Sequence, residues 1–215
     1  FVSTASHQLR TPLTGIKWGL LDILGKHSVG LSPEQKNLIE RVAGASESAI
    51  TLINDFLNVA RMEEGRLEYN FSPGNIDNLI EGILKEFSLN IEEKELTVEI
   101  VPPHNKLKIM RDPEKISMAI RNILDNAIKY TLPNGKITVT MRQDGKYLVI
   151  EISDNGIGIH EPEQPLLFNK FYRATNATKL HTAGSGLGLF IAKSIVDRHN
   201  GSITFTSQEG AGTTF

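Results

Sequence analysis

Residues 33 to 74 read PEQKNLIERVAGASESAITLINDFLNVARMEEGRLEYNFSPG. As far as Ala60 the apolar residues recur by threes and fours. Leu38, Val42, Ala45, Ala49, Leu52, Phe56 and Val59 form one row, and Ile39, Ala43, Ile50, Ile53, Leu57 and Ala60 form a second beside it. A period near 3.5 held over several turns belongs to a helix that packs along its whole length. After Tyr69-Asn70-Phe71-Ser72-Pro73-Gly74 the pattern changes. This stretch therefore closes a helical region and opens one of a different kind.

Toward the N-terminus the same rhythm continues through Val2, Leu9, Leu13, Ile16, Leu20 and Ile23. Lys26 to Pro33 interrupts it, with Ser32 placed to cap a second helix and Pro33 at its first position. Two helices and a short turn make a hairpin whose apolar face is wider than one hairpin buries. Two copies closing into a four-helix bundle would cover it, so residues 1–67 are expected to dimerise. Trp18 reads most simply as core or interface packing.

Toward the C-terminus periods of helix and strand interleave. Ile76, Leu79, Ile80, Ile83, Leu84 and Phe87 mark a helix, followed by strands Leu96 to Val101 and Leu107 to Met110. A helix from Pro113 to Tyr130 comes next, then a strand pair about an Asp144-Gly145 turn and a glycine-rich stretch. A helix from Leu187 to His199 and strands Ser202 to Ser207 and Thr213 to Phe215 complete the order. The hairpin makes part of the sheet antiparallel, so residues 68–215 are expected to form an α+β two-layer sandwich. The fold expected is an all-α hairpin followed by that sandwich.

Composition narrows the function. The 215 residues are 40% hydrophobic with 18 glycines and a net charge of −2, a globular composition that lacks the basic excess of general nucleic-acid binders. The absence of cysteine excludes disulfides, thiol catalysis and thiolate zinc sites. No apolar run is long enough to span a bilayer. The chain opens inside a helix and stops inside a strand, so it reads as a cytoplasmic piece of a longer protein, with any membrane attachment supplied by an upstream segment.

Three constellations carry chemistry. Glycines cluster at Asp154-Asn155-Gly156-Ile157-Gly158 and at Gly184-Ser185-Gly186-Leu187-Gly188, and the second cluster opens a helix, where backbone N–H groups suit an anion. Neither the Walker Lys-Ser/Thr pair nor the strand that precedes a dinucleotide fingerprint is present. Asp154 ends an otherwise apolar strand row of Leu148, Ile150 and Ile152. It is either a turn cap beside Gly156 or a carboxylate at the floor of an apolar pocket, placed to accept a hydrogen bond from an amino group. Asn122, Asn126 and Lys129 line one helical stripe: either a solvated face, or amide oxygens and an ammonium for phosphates and Mg²⁺. His7, with Arg10 and Thr11 a turn away and Pro12 interrupting the helix ladder, is either a surface histidine or a nucleophile. His27, His104, His160, His181 and His199 have no comparable setting.

Taken in order, these motifs resemble those of sensor histidine kinases. Ser6 to Thr14 (S-H-Q-L-R-T-P-L-T) resembles the H box, Asn122 to Thr131 the N box and Asp154 to Gly158 the G1 box. Phe168 to Arg173 (F-N-K-F-Y-R) resembles the F box, Gly184 to Leu189 the G2 box, and Gly210 to Phe215 the closing glycine turn and strand. The resemblance implies a dimerisation and phosphotransfer hairpin over 1–67 and a GHKL (Bergerat) ATP-binding domain over 68–215. It implies that Asp154 reads the adenine amino group, that Asn126 ligates Mg²⁺ with Asn122 nearby, and that Lys129 and Arg173 meet phosphate. Tyr130, Phe168, Phe171, Gly156 and Gly158 would line the nucleotide, Gly184, Gly186, Leu187 and Gly188 would hold phosphates, and Tyr172 to Ala183 would form a mobile lid. His7 would accept the γ-phosphoryl group of ATP and pass it to an aspartate of a response regulator receiver domain. Thr11 matches a position that serves dephosphorylation of that regulator.

Two positions weigh the alternatives, and one of them, Gln8, departs from the family pattern. Hydrolytic relatives of the gyrase and Hsp90 type carry a glutamate four residues before the metal asparagine; Asn122 stands there, and an amide takes no proton from water. Gln8 replaces the acidic residue usual after the phosphoacceptor histidine. A glutamine carbonyl fixes the imidazole tautomer without acting as a base, so the alternative reading is a dimeric nucleotide-binding scaffold with weak or no kinase activity.

Overall fold

The computed structural model describes residues 2–26, 29–103, 108–182 and 184–215, with side chains from Gln8 onward except at position 77. The expectations placed on the side chains of Val2 and His7, and on His27, His104, Leu107 and Ala183, lie outside the described residues. The chain divides into two units, one drawn from Phe1–Leu67 and the other from Glu68–Thr182 and Gly186–Phe215.

The first unit is a helical hairpin of α1 (Val2–Lys26) and α2 (Pro33–Glu63). α1 runs through Pro12 without interruption of its assignment. Ser32 caps α2 as a full capping box: its Oγ accepts from the Gln35 N–H (3.2 Å), and the Gln35 carbonyl oxygen accepts from the Ser32 N–H (2.8 Å). Arg10 donates to Asn54 Oδ1 (3.1 Å) and Lys17 pairs with Glu47, two bridges that fix the antiparallel register.

The apolar rows divide differently from expectation. In α2 the second row is the one that packs the hairpin, with Ala43 and Leu57 buried and Ile39, Ile50 and Ile53 half-buried, while Ser46 fills a buried place between them and bonds back to Val42. Opposite them Leu13, Leu20 and Leu24 of α1 are half-buried. Most of the row expected to be the seam stays open, at Leu38, Val42, Leu52 and Phe56 on α2 and Leu9, Ile16 and Ile23 on α1, while Val59 of that row is buried and Ala49, Leu13 and Leu20 are half-buried. The contact line of a single hairpin covers most of one row and only part of its neighbour. Trp18 is 65% exposed, so the core reading of it is corrected.

The second unit is the expected α+β sandwich. Its main sheet has the order β2 (Thr97–Val101), β4 (Lys136–Asp144), β5 (Tyr147–Asp154), β7 (Gly212–Thr214), β6 (Thr206–Gln208); β2 and β4 run parallel and the remaining neighbours antiparallel. α3 (Asp77–Glu86), α5 (Pro113–Tyr130) and α7 (Gly188–Arg198) form the helical layer. Ile80 and Ile83 of α3, Ile123, Leu124 and Ala127 of α5 and Ile191 and Ile195 of α7 are buried with Ile137, Val139 and Ile152 of the sheet. α5 packs against α3, α7 and β5, which puts it at the centre of the layer.

Several local readings need correction. β1 (Ser72–Asn75) and β3 (Lys108–Arg111) form a separate antiparallel ribbon, and β1 was not expected because Ser-Pro-Gly-Asn has no strand signature of its own. α4 (Ser88–Glu93) is too short to show a period. Gly145 and Lys146, not Asp144 and Gly145, are the two loop residues of the β4–β5 hairpin, since Asp144 pairs with Tyr147; Gly145 takes φ +59° at the first loop position, where a type II′ turn carries glycine. The strand expected over Ser202 to Ser207 is laddered only at Thr206–Gln208. His199 is structural: its Nε2 accepts from the Asp112 N–H (3.0 Å) and its Nδ1 meets the Ile195 carbonyl (2.8 Å).

Candidate nucleotide site

α5 begins where Asp112 caps it, accepting from the Lys115 N–H (3.0 Å), with Pro113 at the first position. Its apolar residues face the core and leave Asn122, Asn126 and Lys129 on a half-buried stripe. Asn122 Nδ2 donates to the Gly188 carbonyl (3.0 Å), so the glycine cluster that opens α7 is tied to this stripe. Asn126 has no protein partner among the described residues, and its amide oxygen is available to a ligand. Lys129 pairs with Asp125 one turn back. Both members of that pair are partly exposed, so it is worth little and yields to a better anion.

Asp154 ends β5, the strand that packs against α5. Its Oδ1 accepts from the Gly156 N–H (2.9 Å) and the Thr213 N–H (3.3 Å). The turn-cap reading of this residue therefore holds for one oxygen, and Oδ2 takes no protein donor among the described residues. Burial pushes the carboxyl pKa up, against the pull of the two N–H donors. A desolvated carboxylate with one oxygen spare is suited to a donor such as an exocyclic amino group.

The turn after Asp154 fits only glycine at its key places. A Cβ on Gly156 would lie 2.3 Å from the Tyr130 carbonyl oxygen. Gly158 combines φ +61° with a virtual Cβ 1.9 Å from the Gln208 carbonyl oxygen. Ile157 N–H donates to the Tyr130 carbonyl (3.1 Å), and the Gly210 N–H donates to the Ile157 carbonyl (2.8 Å). The turn is thus held between the end of α5 and the glycine turn before β7.

The F box and lid sequence divide their side chains. Phe168 packs edge-on against Phe205 with ring centres 5.8 Å apart, whereas Phe171 is 63% exposed at φ +63°. Arg173 donates to the carbonyls of His181 and Thr182, so in this state it is occupied by lid backbone and not by the asparagine stripe. Gly184, Gly186 and Leu187 lie in the segment that leads into α7, with Leu187 buried as its N-cap.

Sequence reasoning missed four residues here. Glu163, in the 3₁₀ turn Glu161–Leu166, accepts from Tyr172 Oη (3.1 Å), the Thr175 N–H (2.9 Å) and Thr175 Oγ1 (2.8 Å). The Thr175 donors hold its carboxyl below the usual range, ahead of the smaller help from Tyr172. Asn176, on α6 (Thr175–Leu180), donates to the Gly158 carbonyl (2.9 Å). His181 meets the Lys129 carbonyl (2.9 Å) and packs edge-on with the Tyr130 ring. Lys94 is treated below. None belongs to a recognisable motif, and only proximity in the fold reveals them.

Residues 1–65 match the His Kinase A (phospho-acceptor) domain, and residues 111–215 match the histidine kinase-, DNA gyrase B- and HSP90-like ATPase domain. The chain belongs to the histidine kinases. Histidine kinase relatives include the circadian input-output histidine kinase CikA of Synechococcus elongatus, 32% identical over 218 residues, which cover 100% of this chain and 29% of CikA. The autoinducer 2 sensor kinase/phosphatase LuxQ of Vibrio parahaemolyticus is 34% identical over 224 residues, covering 100% of this chain and 25% of LuxQ. Full-length ShkA, solved in complex with AMPPNP, shares the fold with a TM-score of 0.78 at 24% identity over 100% of this chain and 44% of that one. This histidine kinase chain thus spans less than a third of the length of the two curated relatives. Among the described residues no helix is long and apolar enough to cross a membrane.

Proposed function

We propose that this chain binds Mg-ATP on its second domain and transfers the γ-phosphoryl group to His7 and then to an aspartate of a response regulator receiver domain. The observation that carries the reading is Asp154, a desolvated carboxylate whose Oδ1 is held by Gly156 and Thr213 and whose Oδ2 is spare. Oδ2 accepts from the adenine amino group beside Tyr130 and Phe168, and the N–H groups that open α7 at Gly186, Leu187 and Gly188 receive phosphate oxygens. The residues fit a magnesium ion: Asn126 offers a free neutral amide oxygen, and among the described residues no cluster of three His, Cys, Asp or Glu offers a rival site. When bound there with phosphate oxygens, Mg²⁺ supplies neutralising charge. Lys129 and Arg173 add theirs after leaving Asp125 and the lid carbonyls.

Residues 1–67 act as the dimerisation and phosphotransfer domain and 68–215 as the ATP-binding domain, on the cytoplasmic side where ATP is supplied. A neutral imidazole nitrogen of His7 attacks the γ-phosphorus, the bond to the bridging oxygen breaks, and ADP leaves. Gln8 accepts the other ring N–H and holds the tautomer. Asn122 cannot act as a base toward water, which favours transfer over hydrolysis. Thr11, one turn beyond His7, orients water for dephosphorylation of the regulator; the name of LuxQ includes phosphatase. Labelled ATP tests the reading. Label on wild-type protein, stable to alkali, lost in acid and absent from His7→Gln, is the expected result. ATP bound without label supports the scaffold alternative instead, in which Gln8 leaves the nucleophile unactivated.

A further inference from the structure

Three backbone carbonyls of the second domain converge on one ammonium. Lys94, which follows α4, donates from Nζ to the carbonyl oxygens of Ile128 (2.8 Å), Lys129 (2.7 Å) and Thr131 (3.0 Å). These carbonyls close α5, where no further helical N–H reaches them and the helix carries its negative end. All three ammonium donors are therefore matched. Burial lowers the Lys94 pKa, so the charge is partly withdrawn from water. The remaining carbonyl of that turn, on Tyr130, receives the Ile157 N–H and lies against Gly156.

The Lys94 backbone secures the same place. Its carbonyl accepts from the Asn134 N–H (2.8 Å), and the Thr97 N–H donates to the Gly135 carbonyl (2.9 Å). The turn that carries Lys94 and the turn that follows α5 are thus joined on both sides of the ammonium. His181 of the lid shares the Lys129 carbonyl.

We propose that Lys94 is a positioning residue for the nucleotide: its ammonium sets the 128–131 turn, so that the Tyr130 carbonyl stands where the Gly156-Ile157 turn, which Asp154 caps, rests on it. The inference rests on the ATP reading above, and it places a determinant of that site outside all of the sequence motifs. Without the ammonium, the Ile128 and Thr131 carbonyls lose their Lys94 donor and the Lys129 carbonyl keeps only His181. The end of α5 then relaxes toward water and takes the Ile157 hydrogen bond with it.

A free ammonium that fits the vacated space should replace the side chain. The Lys94→Ala variant of this chain is titrated with a non-hydrolysable ATP analogue, alone and in tens of millimolar propylammonium or tetramethylammonium chloride at matched ionic strength. The affinity is expected to fall about tenfold, the scale of one or two lost charge-assisted hydrogen bonds. Exchange of the Ile157 amide, read by NMR without nucleotide, is expected to quicken by a similar factor. Propylammonium, with three N–H donors, restores both, and tetramethylammonium, with none, does not. A folded Lys94→Ala protein with wild-type affinity overturns the proposal, as does a loss that propylammonium leaves untouched or that tetramethylammonium relieves equally. If Lys94→Ala does not fold, Lys94→Gln, one atom shorter with two N–H donors, is measured: a loss of about threefold or more is expected, and wild-type affinity overturns the proposal. A wild-type chain that fails to bind the analogue overturns the ATP reading instead.

Discussion

Asp154 is held in a setting that opposes its charge. Burial raises its pKa, so folding disfavours the charged form relative to the unfolded chain. The sign follows from linkage: the contribution to stability is full below the ordinary carboxyl range and is lost as pH rises through the raised value. Asparagine is neutral throughout and keeps an oxygen for the Gly156 and Thr213 amides. Asp154→Asn is therefore expected to raise Tm at pH 7, with the gain shrinking as the pH is lowered through the carboxyl range. Its affinity for Mg-ATP is expected to fall about 5–150-fold, the cost of one mismatched buried polar contact of roughly 1–3 kcal/mol. Thermal melts at several pH values beside calorimetric titration check both halves. A variant that melts lower and binds as before contradicts the reading of the site.

At the scale of the element, capping chemistry decides most boundaries. α2 starts where Ser32, Pro33 and Gln35 place it, and Ser32→Ala is expected to cost about 1 kcal/mol of hairpin stability, read from denaturant unfolding of the chain. α5 was legible for the same reason, with Asp112 and Pro113 at one end and Pro133 beyond the other. Elements without such signals were not legible. β1 exists because β3 pairs with it, and α4 is shorter than two helical turns. The Asp-Gly pair marked the β4–β5 hairpin correctly but not its register, because Gly145 belongs to the first of two loop positions and Asp144 to the ladder.

At the scale of the whole molecule, the hairpin leaves much of one apolar row uncovered, with Phe56 at 53% and Leu38 at 59% exposure. A second copy covering this stripe is part of the function proposed here, since residues spaced by threes and fours on both helices match a four-helix bundle. Phe56 takes no place in the intrachain core, so Phe56→Glu is expected to leave the hairpin helical. It should weaken self-association by about 10–100-fold, the effect of placing a charge at an apolar interface position. Sedimentation and circular dichroism on the same sample separate the two effects. A Phe56→Glu chain that sediments as wild type places the dimer surface elsewhere.

The hairpin, the helix α5 and the position of Asp154 at the end of an apolar strand were readable from residue spacing, and the order of the motifs from family resemblance. Those features depend on period, caps and turn residues, which act over a few neighbours. Which of two apolar rows packs the hairpin was not readable, because the choice is made by contact between α1 and α2. Lys94 shows the same limit in the site. A lysine in Glu-Glu-Lys-Glu looks like surface charge, yet the turn it occupies brings it under three carbonyls more than 30 residues away in sequence. Arg173 and Lys129, both matched to phosphate by resemblance, are occupied here by lid carbonyls and by Asp125. Local sequence determined which groups were available for chemistry; the tertiary structure decided their partners, because partner choice depends on burial and on distances that only the folded chain sets.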